Sequence, residues 1–159
     1  MAFRVLDSSA FYAGIPFSSN EPSYITSLIY NEIEHIKKDH DAVQILIETK
    51  RLMISDPEHR FIITANNAAK KSGDFPNLSD EDISTIALSL QLKAELVTDD
   101  FAISNVAKNL SIKVIPVMTS GIKNVIIWKY YCPGCKTDFS KVTKCPRCGN
   151  KLKRKPMKN

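Results

Sequence analysis

Two cysteine motifs near the end of the chain restrict its possible folds more than any other feature. All four cysteines of the 159 residues lie in these motifs, which are nine residues apart: Cys132, Cys135, Cys145 and Cys148. Paired Cys-x-x-Cys turns at this spacing are typical of a structural Zn2+ site with four sulfur ligands. So short a segment cannot bury a core, and zinc binding is expected to supply its folding free energy, about 10–16 kcal/mol in comparable peptides. Two disulfides or redox dithiols are the alternative, which the absence of secretory features disfavours.

Charge divides the chain into an acidic body and a basic tail. Residues 1–118 contain 11 lysines and arginines against 16 acids, a balance of −5, and residues 119–159 contain 11 against one, a balance of +10. A basic tail neutralises phosphates favourably because counterions are released. The tail therefore indicates contact with nucleic acid, and a merely solvated tail is the alternative reading.

Alternating apolar runs and helical patterns predict an α/β fold, an open and mostly parallel sheet flanked by helices. The pattern predicts strands at 3–6, 61–64, 94–98 and 112–117, helices at 25–38, 41–54, 79–92 and 101–110, and an extended segment at 125–131. We expect a body at residues 1–118, a linker at 119–130, and a small zinc ribbon with a basic tail at 131–159. Residues 1–9 lack a signal-peptide pattern and no apolar stretch would span a bilayer, which predicts a cytoplasmic protein with no membrane partner.

Acidic residues occupy the positions where sites form in open α/β sheets, beyond the carboxyl ends of the strands. Asp7 follows the first predicted strand, Asp99 and Asp100 follow a later one, and Glu32 and Asp82 lie on predicted helices. Converging carboxylates repel one another unless a hard cation such as Mg2+ or Mn2+ lies among them. Each acid also has an ordinary alternative. Asp7 or one of the Asp99 and Asp100 pair could cap a helix, Asp82 could complete a capping box, and Glu32 could be solvated.

The order of these acids resembles that of PIN-domain ribonucleases. The resemblance rests on Val5-Leu6-Asp7-Ser8-Ser9, Asn31-Glu32-Ile33, Leu78-Ser79-Asp80-Glu81-Asp82 and Val97-Thr98-Asp99-Asp100. A PIN body followed by a four-cysteine ribbon is similar to the Nob-type ribosome-maturation endonucleases in their short archaeal form, over nearly the whole chain. This resemblance implies that Asp7, Glu32, Asp82 and Asp100 hold one or two Mg2+ or Mn2+ ions. Its Thr-x-Asp element favours Asp100 over Asp99, and Glu32 is preferred to its rival Glu34.

The resemblance also implies a function. It implies a metal-dependent endoribonuclease that cleaves single-stranded precursor RNA and matures the 3′ end of small-subunit ribosomal RNA. Its partners would then be that precursor, the pre-small ribosomal subunit and the assembly proteins of that subunit. Two alternatives stay open: a zinc-dependent RNA-binding assembly factor without catalysis, and a toxin-type PIN ribonuclease that acts on transfer RNA.

Overall fold

The body of the protein is built on a parallel sheet of five short strands. The computed structural model describes residues 3–33, 40–118, 126–139 and 144–157. The strands are β1 (Arg4–Leu6), β2 (Ser23–Ile25), β3 (Leu52–Ile54), β4 (Glu95–Val97) and β5 (Val114–Ile115). They lie in the order β3-β2-β1-β4-β5, and every pairing is parallel. The predicted α/β fold with a mostly parallel sheet is therefore confirmed.

Helices connect these strands and cover both faces of the sheet. They are α1 (Ser8–Tyr12), α2 (Ile15–Ser18), α3 (Ser27–Ile33), α4 (His40–Glu48), α5 (His59–Ser72), α6 (Asp80–Leu92) and α7 (Phe101–Asn109), with one 3-10 turn at Phe75–Asn77. Among the described residues, no helix combines the length and apolarity needed to cross a membrane.

Alternation along β1 and β4 sends side chains into two separate cores. Val5 and Leu96 pack with residues of α5, α6 and α7 on one face, whereas Leu6 and Val97 pack with residues of α1, α3 and α4 on the other. All four side chains are buried. Successive strand residues point to opposite faces, so a strand covered on both sides is apolar at every position.

The ribbon is a separate antiparallel sheet near the end of the chain. It contains β6 (Trp128–Tyr131), β7 (Asp138–Phe139) and β8 (Lys153–Pro156), in the order β7-β6-β8. Among its described residues, those that are buried are Tyr130, Cys132, Cys145 and Leu152. The predicted small ribbon is confirmed, and its cysteines make up half of its core.

The predicted strand at 61–64 is wrong, because these residues belong to helix α5. This helix buries Ala65, Ala68, Ala69 and Ser72, which recur at helical spacing. The apolar residues of 61–64 lie on the same continuous helix, in the turn before these buried positions. Tertiary packing has overridden a locally strand-like run.

Two predicted helices were too long, because each included a strand. The prediction at 25–38 included part of β2, and α3 begins at Ser27; residues 34–38 lie outside the described part of the chain. The prediction at 41–54 included β3. Helix α4 ends at Glu48, and Lys50 then adopts a left-handed conformation with φ of 59°, which turns the chain out of the helix before β3.

Replacing Leu96 with Ala is expected to lower the free energy of unfolding by about 2–5 kcal/mol, because it leaves a cavity under the central strands. Guanidinium unfolding followed by circular dichroism measures this loss. The matched control is Ile63→Ala, since Ile63 is 46% exposed, and its effect is expected within about 0.5 kcal/mol. Equal losses in the two variants would contradict the assignment of the core.

Candidate active site and cysteine metal centre

The carboxyl edge of the sheet brings Asp7 close to Asp100. Strands β1 and β4 are parallel neighbours with Leu6 opposite Val97, so the residues that follow each strand meet. The Thr98 hydroxyl donates a hydrogen bond of 2.8 Å to Asp7 Oδ2 and accepts one of 3.0 Å from the Asp100 backbone N–H. One buried hydroxyl group therefore links the two acidic positions.

Asp7 precedes helix α1 but does not cap it. Its carboxylate makes no hydrogen bond to the backbone at the start of that helix. The carboxylate instead accepts hydrogen bonds from the hydroxyls of Ser9 at 3.2 Å, Ser8 at 3.5 Å and Thr98 at 2.8 Å. Because Asp7 is only 3% exposed, it loses hydrogen bonds to water on folding, and these hydroxyls replace part of them.

Asp99 and Asp100 have different roles in the structure. Both oxygens of Asp99 accept backbone hydrogen bonds, from Val117 N–H at 2.7 Å and from Met118 N–H at 2.8 Å. Asp100 uses Oδ1 to cap helix α7 through Ile103 N–H at 2.9 Å. Asp99 thus fixes the segment after β5, whereas Asp100 is exposed and keeps its second oxygen, which favours Asp100 as the site acid.

Asp82 does complete the capping box that its sequence allows. Asp82 Oδ2 accepts a hydrogen bond of 2.9 Å from Ser79 N–H, and Ser79 Oγ accepts one of 3.2 Å from Asp82 N–H. Capping does not exclude a place in the site. Burial of the carboxyl group raises the pKa of Asp82, although the hydrogen bonds with Ser79 lower it. The charges of Asp100 and Asp7 raise this pKa further.

Glu32 reaches the same group of acids from helix α3. Partial burial of its carboxyl raises the pKa of Glu32, and the charges of Asp7, Glu81 and Asp82 raise it further, although the residue as a whole is exposed. A buried hydrogen bond of 2.8 Å between the Thr26 and Ser84 hydroxyls joins the start of α3 to α6 and fixes this approach.

The four predicted acids therefore share one electrostatic field, although they lie far apart in the sequence. Glu81 belongs to this field and was missed by sequence reasoning, although its position beside Asp82 in the first turn of α6 was a usable signal. The rival Glu34 lies outside the described residues. None of the four predicted acids forms an ion pair with another described residue, so a cation would relieve their repulsion.

The acids form an open group rather than a closed shell. Within the described ranges, only the cysteines place three or more ligand atoms within 4.8 Å of one another. The carboxylate oxygens are spread more widely. Such an arrangement suits Mg2+ or Mn2+, because Mg2+ sites use a few carboxylates and leave positions for water and for substrate phosphate.

The four cysteines form a compact group of thiols. Cys132 and Cys148 have Sγ atoms 3.4 Å apart, and those of Cys135 and Cys145 are 3.9 Å apart. All four are free, and these separations exceed the disulfide bond length of about 2.05 Å. They agree with the spacing of about 3.8 Å that zinc–sulfur bonds of about 2.3 Å give in a tetrahedron.

The four cysteine thiols differ in their pKa. The backbone N–H of Cys135 donates to Cys132 Sγ at 3.3 Å and lowers the pKa of Cys132 to about 7. Hydrogen bonding to the neighbouring sulfurs raises the pKa of Cys135 to about 12. A central divalent cation would let all four lose their protons, because its charge offsets the repulsion between thiolates.

The ribbon presents basic side chains around this centre. Lys129 and Lys155 both pair with Asp138, at 2.9 and 3.3 Å. The remaining described basic residues of the ribbon are exposed and form no ion pair within the described ranges: Lys136, Lys144, Arg147, Lys151, Lys153 and Arg154, whose guanidinium lies over the Trp128 ring. These side chains give the ribbon an exposed positive surface.

Comparison with known proteins gives consistent matches. The family pattern described as the PIN domain of ribonuclease matches residues 5–92. Endoribonuclease Nob1 of Pyrococcus abyssi is 33% identical over 94% of this chain and 91% of its own length. Endoribonuclease Nob1 of Methanocaldococcus jannaschii is 37% identical over 100% and 80%. Ribonuclease VapC1 of Thermoplasma acidophilum is 36% identical over 77% of this chain and 63% of its own length.

The parallel sheet, the acids at its carboxyl edge and the matched family pattern together define a PIN-domain nuclease. The chain belongs to the PIN-domain ribonuclease family and, within it, to the Nob1 endoribonucleases, whose relatives match it along nearly its whole length. The resemblance read from the ordered acids and the ribbon is thereby confirmed.

Glu32→Gln is expected to stabilise the folded protein at pH 7 without added Mg2+ or Mn2+, because it removes a charge that neighbouring acids repel. The raised pKa of Glu32 means that the folded state binds the proton more tightly. The charged form of Glu32 therefore destabilises the folded state. This destabilisation is absent below the pKa of a glutamate in the unfolded chain, about 4.3, and develops fully as the pH rises through the higher pKa of the folded state. The gain, below about 1 kcal/mol, should vanish near pH 4.

Thermal unfolding of Glu32→Gln at pH 4 and pH 7 measures this effect. Glu48→Gln, an exposed glutamate on α4, is the control and should show no such pH dependence. Added Mg2+ should narrow the difference between wild type and Glu32→Gln. A variant less stable than wild type at pH 7 would show that Glu32 lies outside the repulsive field.

Chelating the ion at the cysteines is expected to unfold the ribbon and leave the body folded, because the described part of the ribbon buries only four residues, two of them cysteines. Elemental analysis should find one zinc ion per chain. Chelation should change the fluorescence of Trp128 while the helical circular dichroism persists. Zn2+ should restore the signal and Mg2+ should not. A ribbon that keeps its fluorescence after the metal is removed would contradict a structural metal site.

Proposed function

We propose that this protein is a divalent-metal-dependent endoribonuclease that cleaves single-stranded precursor RNA and matures the 3′ end of small-subunit ribosomal RNA. The observation that carries the proposal is the shared field of Asp7, Glu32, Asp82 and Asp100 at the sheet edge, in a chain of the Nob1 family. Its partners would be the pre-small ribosomal subunit with its assembly proteins, in the cytoplasm.

The four acids are the residues that would hold Mg2+ or Mn2+. Their fit to such an ion rests on their oxygen-rich composition and on the absence of ion pairs to them among the described residues. When bound, the metal supplies Lewis acidity and lowers the pKa of water, which provides a hydroxide nucleophile near neutral pH.

The protein's own part in the reaction is to orient these carboxylates and the RNA. The hydroxyls of Thr98 and Ser9 donate hydrogen bonds to the Asp7 carboxylate and hold it in one direction. Asp82 is held by the capping box and Asp100 by its bond to Ile103 N–H. Each of these three acids is therefore held in a fixed direction, and Asp82 and Asp100 each keep one carboxylate oxygen that accepts no hydrogen bond from a described residue.

The ribbon has a binding role in this proposal. Zn2+ on the four cysteines would keep its strands folded, and the exposed lysines and Arg147 would contact RNA phosphates. Such contacts raise affinity without reading sequence. A division into a nuclease body at 1–118, a linker at 119–130 and a zinc ribbon with its tail at 131–159 is part of the same proposal.

A second candidate is a toxin-type PIN ribonuclease that acts on transfer RNA. The observation that favours it is the 36% identity to Ribonuclease VapC1. That match covers 77% of this chain, whereas the two Nob1 relatives cover 94% and 100% of it. The ribosomal substrate therefore has more support than transfer RNA.

Asp7→Asn and Asp100→Asn are each expected to reduce RNA cleavage with Mn2+ by at least about 100-fold, because a neutral amide binds the metal far more weakly than a carboxylate. The assay uses an RNA that spans the 3′ end of the small-subunit ribosomal RNA. Asp80→Asn is the matched control, since Asp80 is an exposed acid in the same helical turn as Asp82.

Parallel assays on transfer RNA separate the two candidate functions. Cleavage of the ribosomal precursor at one position, with transfer RNA left intact, supports the maturation enzyme. Full activity in both Asn variants would support the non-catalytic assembly factor, with the cleavage attributed to a contaminant.

A further inference from the structure

The ribbon touches the body at the end of helix α5. Gly73 ends this helix with φ of +84°, and its carbonyl accepts a hydrogen bond from the Tyr130 hydroxyl. A Cβ atom at Gly73 would overlap the backbone carbonyl group of Trp128. The two parts of the protein therefore meet so closely that only glycine fits at this point.

A buried polar group forms the second part of this contact. Asn105 of α7 accepts a hydrogen bond of 2.7 Å from Ile126 N–H and donates one of 2.5 Å to Ile126 C=O. It also donates one of 2.7 Å to Asp74 Oδ2, which accepts another from Ser72 Oγ. Asn105 thus binds both backbone groups of a residue just before β6, and Asp74 holds its amide in place.

The third part of the contact is the ring of Trp128. Phe101, the first residue of α7, meets it edge-on with centroids 6.3 Å apart. The Arg154 guanidinium lies 4.3 Å from the same ring. Asp100, a proposed site acid, caps helix α7, so the ribbon packs against the first turn of the helix that follows this acid.

We propose that these contacts form a latch that fixes the basic ribbon beside the acid site, so that RNA held by the ribbon meets the site in one register. The latch comprises Gly73, Asp74, Phe101 and Asn105 of the body with Ile126, Trp128 and Tyr130 of the ribbon. Its docking role stands on the contacts alone, and its effect on RNA rests on the proposed function.

Buried polar contacts of this kind favour a single orientation. Asn105, Asp74 and Ser72 are all 0% exposed, so undocking the ribbon would break bonds that no other described residue replaces. Asp74 Oδ1 is itself buried without a hydrogen-bond partner in the described part of the chain, and the positive charge of Arg154 lies near the carboxyl group. Burial raises the pKa of Asp74. The hydrogen bonds from Asn105 and Ser72 oppose this rise, and the charge of Arg154 from the ribbon opposes it to a smaller extent.

A fixed ribbon and a loosely tethered one predict different kinetics. A tether raises only the local concentration of RNA, and this effect survives changes in orientation. A fixed ribbon also positions the scissile phosphate, and a displacement of about 1 Å costs roughly 100-fold in rate. Loosening the latch should thus reduce the cleavage rate and its positional accuracy more than it reduces RNA affinity.

The test compares Gly73→Ala with Gly14→Ala in the full zinc-loaded chain. Both glycines have left-handed φ, +84° and +76°, so both variants carry a backbone cost of about 1 kcal/mol. Only the Cβ at Gly73 meets the ribbon, because a Cβ at Gly14 has nothing within 4 Å. Trp128 is the single tryptophan, so its fluorescence reports on the latch without reference to activity.

Gly73→Ala is expected to shift Trp128 emission to longer wavelength while zinc content stays at one per chain. With precursor RNA and Mn2+, its single-turnover rate should fall at least about 10-fold and new cleavage positions should appear. RNA affinity should change less than about threefold. Gly14→Ala should match wild type in all five measurements.

A second pair of variants, with smaller changes, tests the proposal if Gly73→Ala does not fold. Tyr130→Phe removes only the hydroxyl that binds Gly73, and Tyr131→Phe is its control on the same strand. Tyr130→Phe should shift Trp128 emission, lower the single-turnover rate and produce new cleavage positions as Gly73→Ala does, but each change should be smaller.

Unchanged Trp128 emission in both Gly73→Ala and Tyr130→Phe would overturn the latch. A shifted emission with wild-type rate and cleavage position would overturn its positioning role. If the wild-type protein cleaves no RNA, the proposed function and the positioning role fail together, while a shifted emission would still support docking.

Discussion

The parallel pairing of β1 with β4 is the interaction on which the acid site depends. With Leu6 opposite Val97, the next residues are Asp7 and Thr98, and the threonine hydroxyl joins Asp7 to the backbone of Asp100. A slip of one residue would send Leu6 and Val97 out of their core and break this link. The hydrophobic cores on the two faces of the sheet therefore also set the geometry of the carboxylates.

The sequence was enough to predict acids at this edge of the sheet, because these acids follow short apolar runs that are recognisable as strands. It could not separate Asp99 from Asp100 by spacing, since the difference depends on the N–H groups of Val117 and Met118, which come from another strand end. Glu81 was missed for a similar reason. Its place in the field depends on how α3 packs against α6, through the buried hydroxyls of Thr26 and Ser84.

The errors in the fold have the same physical origin. The run at 61–64 is locally strand-like, but the small residues Ala65, Ala68 and Ala69 let α5 pack closely and carry the helix through it. Strands β2 and β3 merged with the neighbouring helical patterns, because only Thr26 separates β2 from α3 and only residues 49–51 separate α4 from β3. The contacts of Gly73 and Asn105 with the ribbon involve ordinary loop and helix residues, so only the folded chain identifies them.

Charge explains why an acidic site and a basic ribbon belong in one chain. The body carries −5 and the tail +10, so in the proposed enzyme RNA would be drawn to the tail and repelled by the acids until cations bind there. Phosphate contacts carry no sequence information, and a cleavage position must then come from geometry. The ribbon packs against helix α7, which begins directly after Asp100, and under our proposal this fixed placement would supply that geometry. In the proposed enzyme, the position of cleavage is therefore set by the docking of two parts of the protein, rather than by the reading of bases.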